Sequence, residues 1–165
     1  MNFTAAGQAP IHFERRYDDT ALRELWDLWA TADGFTAWWG PDQFRVEVQA
    51  FELRAGGALS YEMIAATPES IAAMQRMNMP ASHATHGRFV EVRPFEYLEI
   101  AHRIDFIPGV EPYENRIRVW FTQDGATAVM RIDIDPHHDA AFTGMAQKGM
   151  SSQLDKVPGA LRARR

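Results

Sequence analysis

A histidine and a tyrosine are the polar side chains of this sequence best placed to do chemistry. Each alternates with apolar neighbours along a predicted strand: His102 with Leu98, Ile100 and Ile104, and Tyr61 with Leu59 and Met63. Residues two apart in a strand point to the same side of the sheet, so both should face the apolar core. A neutral imidazole and a phenol there could orient a ligand carbonyl or hydroxyl, or act as acid and base. The alternative is that both are satisfied core residues.

Two histidine clusters have the residue types of a metal site. His83-x-x-His86 offers two imidazoles, and His137-His138-Asp139 offers a second pair with a carboxylate. Neither cluster has a third ligand at a spacing known for metal sites. The second cluster could instead cap a helix that begins there. We therefore predict no metal, and the sequence suggests no cofactor.

Nucleophilic catalysis and phosphate binding find no support in the sequence. The chain has no cysteine and no Gly-x-Ser-x-Gly motif. Gly56-Gly57 lies in a short turn between two predicted strands, not in a phosphate-binding loop. Catalytic residues are therefore unassigned, and whether the protein is an enzyme stays open at this point.

Arg116 and Arg118 alternate with the apolar residues Ile117 and Val119. They could bind an anionic ligand if their side of the sheet is concave. Solvated arginines on an outer face are the simpler interpretation.

Composition is that of an ordinary globular domain. The 165 residues suit a single domain, with 46% hydrophobic and 24% charged residues. No apolar run approaches the roughly 18 residues that a membrane span requires. The net charge of −5 disfavours nucleic acid as a partner. Residues 1–10 lack the basic and apolar regions of a secretory signal, so a cytoplasmic location is expected.

Hydrophobic periodicity predicts the elements that must position these side chains. Alternation typical of half-buried strands occurs in seven segments: 11–17, 44–51, 58–64, 88–92, 97–105, 115–123 and 127–135. Their short connections favour an antiparallel sheet. Two short helices are predicted after the first strand, and Gly40-Pro41 should end the second of them.

A long helix is predicted after His138, with one face formed by Phe142, Met145, Ala146, Gly149 and Gln153. A strongly curved sheet would bury its concave face on this helix, which gives an α+β fold. Small residues near the middle of the helix should leave an apolar cavity beneath it: Ala146, Gly149 and Ser152.

The predicted domain covers residues 11–158. Pro158-Gly159 is predicted to end the last helix, so residues 1–10 and 159–165 are expected to be flexible termini.

Residues 67–85 form an insertion between two predicted strands. Ile71 and Met74 lie one helical turn apart, which favours a short amphipathic helix. The segment is rich in methionine, which adapts to irregular apolar partners, and long loops of this kind are often lids. The alternative is a satellite piece of core packed on the edge of the sheet.

The sequence resembles the START-like helix-grip superfamily (SRPBCC), and within it the homologues of the activator of the heat-shock-protein-90 ATPase. The resemblance covers about residues 11–158. It rests on these segments: Leu25-Trp26-Asp27-Leu28-Trp29, Trp38-Trp39-Gly40-Pro41, Arg54-Ala55-Gly56-Gly57, Tyr61-Glu62-Met63, Gly87 to Val92, Pro94 to Leu98, Gly149-Met150 and Gln153 to Val157.

Two residues depart from the pattern of the family that the sequence resembles. Ala55 stands where proline is usual, and Met150 stands where a tryptophan usually sits in the last helix. The second change should enlarge or soften the cavity. The resemblance implies a helix-grip fold, whose members bind apolar molecules and in some cases catalyse cyclisation, dehydration or lyase reactions. The predicted ligand-binding residues are Tyr61, Met63, His102, Ile104, Met145, Gly149 and Met150.

Three functional hypotheses follow. The first is binding of a small apolar or amphipathic molecule between the sheet and the last helix. The second is a cavity enzyme of the cyclase, dehydratase or lyase type, which requires His102 and Tyr61 to meet inside the cavity. The third is a chaperone-interacting module, which an exposed apolar patch would favour. A homodimer is expected only on the general ground that symmetric dimers are common.

Overall fold

The computed structural model describes residues 9–165. Seven strands and five helices follow one another along this part of the chain. They are β1 (Ile11–Tyr17), α1 (Leu22–Ala30), α2 (Ala32–Trp38), β2 (Phe44–Phe51), β3 (Ala58–Ala65), α3 (Pro68–Arg76), β4 (Ser82–Arg93), β5 (Tyr97–Ile104), β6 (Tyr113–Asp124), β7 (Thr127–Ile134), α4 (Ala140–Leu154) and α5 (Val157–Ala163).

The strands form one antiparallel sheet in the order β1-β7-β6-β5-β4-β3-β2. β2 to β7 therefore run as a meander, and β1 pairs with β7, where Ile11 lies opposite Ile134 and Tyr17 opposite Ala128. The ladder is irregular between Val48 and Ala50 and again between Phe89 and Glu91, and bulges of this kind bend a sheet. The sheet curls into a half-barrel, which confirms the predicted α+β helix-grip architecture.

The core lies between the concave face and the helices. α1 and α2 pack against one end, where the indole N–H of Trp38 donates to the carbonyl of Leu28 at 2.8 Å. Trp29 lies edge-on to both Trp38 and Trp39, with ring centroids 4.9 and 5.5 Å apart. The aromatic residues of the two short helices are thus buried, as their helical spacing predicts.

β4 begins earlier than the sequence suggests. Residues 82–87 pair with β3 in regular register, with Thr85 opposite Tyr61 and His83 opposite Met63. These positions carry small and polar residues, so their apolar alternation is weak and only the backbone pairing with β3 reveals a strand. The predicted insertion is therefore shorter than expected, and its helical part is α3, as predicted from Ile71 and Met74.

The prediction that Pro158-Gly159 ends the last helix is wrong, and most of residues 159–165, expected to be a flexible terminus, are helical. Val157 begins a further helix, α5, in which Pro158 occupies the first turn, where a missing N–H costs nothing. Ala160 and Leu161 are buried, and the guanidinium of Arg165 bonds a carboxylate oxygen of Glu24 at 2.9 Å. The predicted flexibility of residues 1–10 lies almost wholly outside the described residues.

Among the described residues, no helix is long and apolar enough to cross a bilayer.

Candidate ligand-binding cavity

A cavity of about 460 Å³ lies between the concave face of the sheet and α4. Only the C-terminal part of α4 is buried, through Met150, Gln153 and Leu154. Its first turns stand away from the sheet, with Phe142 half-exposed and Met145 exposed. The cavity is the space between the sheet and these first turns of α4.

The lining is mostly apolar and unusually rich in methionine. Six of the eight methionines of the chain line it: Met63, Met74, Met77, Met79, Met145 and Met150. Met74 is buried against β3, whereas Met77 is 43% and Met145 is 48% exposed. Flexible thioether side chains can therefore follow the shape of an apolar occupant on both sides of the opening.

The opening follows from the topology of the meander. In an antiparallel meander, alternate connections lie at the same end of the sheet. The β3–β4, β5–β6 and β7–α4 connections share one end, and each contributes a side chain to the lining: Met77, Phe106 and His137. Phe106 packs on the ring of His83, with centroids 4.4 Å apart.

Three buried polar side chains meet in the cavity. The hydroxyl of Tyr61 lies 3.0 Å from Nε2 of His102, and the indole N–H of Trp39 donates to the same hydroxyl at 2.9 Å. The ring of Trp39 is nearly parallel to that of His102, with centroids 6.1 Å apart. All three residues are at most 6% exposed. We call Trp39, Tyr61 and His102 the polar triad.

Burial keeps the polar triad uncharged. It lowers the pKa of His102 to about 4, with a smaller effect from nearby His137. Burial also raises the pKa of Tyr61 well above its ordinary value, and hydrogen bonds from Trp39 and Thr85 only partly oppose it. At neutral pH the triad is thus a neutral imidazole beside a neutral phenol.

The loop that carries Trp39 is held by the C-terminal helices. The amide oxygen of Gln153 accepts from the backbone N–H of Gly40 at 3.1 Å. The ammonium group of Lys156 donates to the carbonyl oxygens of Gly40, Pro41 and Phe44 at 2.8, 3.2 and 3.1 Å. Two of the segments on which the family resemblance rests, around Trp39-Gly40-Pro41 and around Gln153 to Val157, are therefore in direct contact.

All seven predicted ligand-binding residues line the cavity, namely Tyr61, Met63, His102, Ile104, Met145, Gly149 and Met150. A Cβ at Gly149 would lie 3.4 Å from the ring of Pro41, an ordinary van der Waals contact. Ser152 serves packing instead: its hydroxyl accepts from the backbone N–H of Asp42 at 3.0 Å.

Several polar residues of the lining were not predicted as site residues, among them Trp39, Thr85, Asn115, His137 and Gln153. Alternation along β6 could have identified Asn115, which shares a face with Ile117 and is 3% exposed. Trp39 could not be separated from the other tryptophans by spacing, since all of them fit an apolar helical face.

The two histidine clusters do not come together as a metal site, and the described residues hold no group of three or more metal-ligating side chains. His137 and His138 instead share the hydroxyl of Tyr113, at 2.7 and 3.0 Å from their Nδ1 atoms. Asp139 caps α4, where its carboxylate accepts from the N–H of Phe142 at 2.7 Å.

The convex face of the sheet is charged and internally paired. The guanidinium of Arg116 bonds Glu99 at 2.7 Å, and that of Arg118 bonds Asp135 at 2.9 Å. The arginines that could have bound an anionic ligand are therefore matched by carboxylates of the same face.

Solved structures with the same architecture come from several bacteria. The AHSA1 protein from Silicibacter pomeroyi matches with a TM-score of 0.73 and 17% identity, over 95% of this chain and 100% of its own. A protein from Chromobacterium violaceum has the same TM-score and identity, over 92% and 96% of the two chains. One from Staphylococcus epidermidis reaches 0.71 and 16%, over 99% and 95%. At such identities the likeness concerns the fold.

A family model describes this sequence over residues 19–161, that of the activator of Hsp90 ATPase homolog 1-like protein. The match extends from the turn before α1 into α5 and so includes the whole cavity lining. No curated protein matches the sequence.

Proposed function

The chain belongs to the family of activator of Hsp90 ATPase homolog 1-like proteins, and we propose that it binds a small apolar or amphipathic molecule in the cavity beneath α4. The observation that carries this proposal is the cavity itself, about 460 Å³ and lined by methionine, isoleucine and aromatic side chains around the polar triad. Protein interiors are otherwise close-packed, and binding pockets span roughly 300–1,000 Å³.

The state of the polar triad favours binding over proton transfer. A general base works best with a pKa near the operating pH, and the pKa of His102 is about 4. The phenol of Tyr61 is shifted the other way and is a correspondingly weak acid. Both groups are, however, well suited to orient a neutral polar group of a ligand by hydrogen bonding.

Native mass spectrometry of the purified protein, run beside a denatured sample, tests the proposal. We expect either a co-purifying small molecule that is lost on denaturation or a rise in melting temperature with added apolar compounds. Ala146→Trp should abolish both effects, because Ala146 lines the cavity and an indole there would fill it. Gln147→Trp, on the exposed side of the same helix, is the matched control. Absence of both effects in the wild-type protein would overturn the proposal.

A cavity enzyme is the second candidate, and one observation favours it. The hydroxyl of Tyr61 and Nε2 of His102 lie 3.0 Å apart inside the cavity, as the enzyme hypothesis requires. A bound substrate that excludes more water or brings its own charge would change both pKa values. Incubation of the co-purified molecule with wild-type protein and with Tyr61→Phe, followed by chromatography, tests it: turnover only by the wild type supports an enzyme, and an unchanged molecule in both refutes it.

A chaperone-interacting role receives less support. The convex face carries ion pairs between arginines and carboxylates, which disfavour an apolar contact at that place. Of the five large apolar side chains that are exposed in residues 9–165, Met77 and Met145 border the cavity.

A further inference from the structure

The cavity lining carries almost no charge. Lys148 is the only Lys, Arg, Asp or Glu among the described residues that line it, and it lies on the exposed side of α4. An ion moved into this space would lose its water shell and find no opposite charge in return, which is unfavourable. A carboxylate or ammonium group is therefore a poor occupant of the inner cavity.

Several neutral polar atoms of the lining have no partner in residues 9–165, among them Nδ1 of His83 and the amide nitrogen of Gln153. Two others belong to residues that face each other on neighbouring strands, His102 and Asn115. The hydroxyl of Tyr61 is hydrogen-bonded to Nε2 of His102. No residue in the described part of the chain is hydrogen-bonded to Nδ1 of that ring. Asn115 pairs with His102 across β5 and β6, and its amide nitrogen donates to the carbonyl of Asp135 at 2.8 Å. Nothing in residues 9–165 donates to the amide oxygen of Asn115.

These two atoms call for a group that can donate and accept at once. A backbone carbonyl can only accept, so the nitrogen of Asn115 must face Asp135 and its oxygen is the free end of the amide. Because the hydroxyl of Tyr61 accepts from Trp39, its own proton can be donated to Nε2 of His102, and the ring hydrogen then lies on Nδ1. A hydroxyl can donate its one proton to the amide oxygen of Asn115 and accept from this Nδ1–H. A ketone or an ether cannot donate and would leave the amide oxygen unsatisfied.

From this juxtaposition we infer that the cavity selects an uncharged amphipathic alcohol, whose hydroxyl lies between His102 and Asn115 and whose apolar part lies among the methionines near the opening. The inference rests on the proposed binding function and names the ligand class. It also sets an orientation, with the hydroxyl at the sheet and the apolar end toward Met77 and Met145.

Four probes of nearly equal size test the ligand class: octanol, methyl heptyl ether, octanoate and octylammonium. The indole N–H resonance of Trp39, assigned with Trp39→Phe, reports occupancy by NMR because Trp39 belongs to the polar triad. We expect octanol to bind about fivefold or more tightly than the ether, since one satisfied hydrogen bond is worth about 1 kcal/mol. Both charged probes should bind at least about tenfold more weakly than octanol.

Variants test the position of the hydroxyl. Asn115→Leu should bring the octanol-to-ether affinity ratio close to one, because only the hydroxyl can donate to Asn115. His102→Leu removes a donor that both probes can use and should weaken both. Ile104→Ala, on the same strand as His102, removes apolar contact only and should weaken octanol and the ether alike while the ratio is kept. If a leucine variant does not fold, the ¹⁵N shift of His102 Nδ1 in the wild-type protein gives the same information, because a hydrogen-bonded hydroxyl must move it.

The outcomes distinguish failure of the alcohol inference from failure of the proposed binding function. If no probe shifts the Trp39 resonance, both the binding proposal and this inference fail. If the ether or a charged probe binds as tightly as octanol, or if the octanol-to-ether ratio survives in Asn115→Leu, the binding proposal stands and the alcohol inference is overturned.

Discussion

Replacement of Lys156 by methionine would show how strongly the C-terminal helices hold the loop that carries Trp39. The ammonium group donates to three carbonyl oxygens, those of Gly40, Pro41 and Phe44. Burial lowers the pKa of Lys156. Three acceptors nevertheless require three hydrogens, so the protonated amine is the form that fits the site. Methionine keeps an apolar stem of similar length and removes every donor.

The expected loss follows from these contacts. A hydrogen bond from a charged donor contributes about 1.5–3 kcal/mol, and a buried carbonyl without a donor costs about 1–3 kcal/mol. Lys156 is only half-buried, so water can reach part of the site, and the desolvation of the ammonium group offsets some of the gain. We expect Lys156→Met to lower the free energy of unfolding by about 2 kcal/mol. In a chain of this size that lowers Tm by roughly 4 to 8 °C.

Urea denaturation followed by tryptophan fluorescence measures the effect. The chain contains only one other lysine, Lys148, which is exposed on α4 and hydrogen-bonded to no described residue. Lys148→Met makes the same chemical change without the three contacts and should alter stability by less than about 0.5 kcal/mol. Equal stabilities of the two variants would refute the idea that Lys156 anchors the loop. A displaced Trp39 indole resonance in Lys156→Met alone would support it directly.

Three further predictions concern the same region. Gly40 has a φ of 101°, a conformation that strains any residue with a Cβ, so Gly40→Ala should lower the free energy of unfolding by about 1–3 kcal/mol. An unchanged Tm in thermal unfolding would contradict the idea that this position requires glycine. Tyr61→Phe should cost about 1–3 kcal/mol because it leaves the N–H of Trp39 without an acceptor, whereas Tyr17→Phe should be neutral or stabilising because the buried hydroxyl of Tyr17 has no described partner. Burial lowers the pKa values of His102 and His137 to about 4, so the unfolded chain binds more protons between pH 6.5 and 4. Stability should therefore be complete above pH 6.5 and fall toward pH 4, by at most about 1.4 kcal/mol per pH unit for each histidine, and His102→Leu should show a shallower fall in urea titrations.

The sheet and the main site residues could be predicted because a strand repeats every two residues. His102 and Tyr61 alternate with apolar neighbours, so the faces they share with Ile104 and Met63 follow from the sequence alone. The start of β4 could not be predicted in this way. Its first residues are small or polar, and their strand conformation depends on pairing with β3, which is a contact between distant parts of the chain.

Sequence reasoning failed where a residue type allows two structures. Pro158 can follow one helix or occupy the first turn of another, and the packing of Leu161 in the core selects the second option. Trp39 fits an apolar helical face as well as any other tryptophan. Its role in the polar triad depends on Tyr61, a residue 22 positions away in the chain, toward which only the folded loop can direct its indole N–H.

The pairing of β1 with β7 also has a consequence for the order of folding. β2 to β7 are joined by hairpins and short connections, so each of their ladders closes a small loop and can form early. The pairing of Ile11 with Ile134 instead joins residues that are far apart in the sequence. The entropy of closing this long loop is lost before the contacts of β1 form. We expect the meander to form the folding nucleus and β1 to dock late. Substitutions in β1 should then accelerate unfolding with little effect on the folding rate, whereas substitutions in the hairpins of the meander should slow folding.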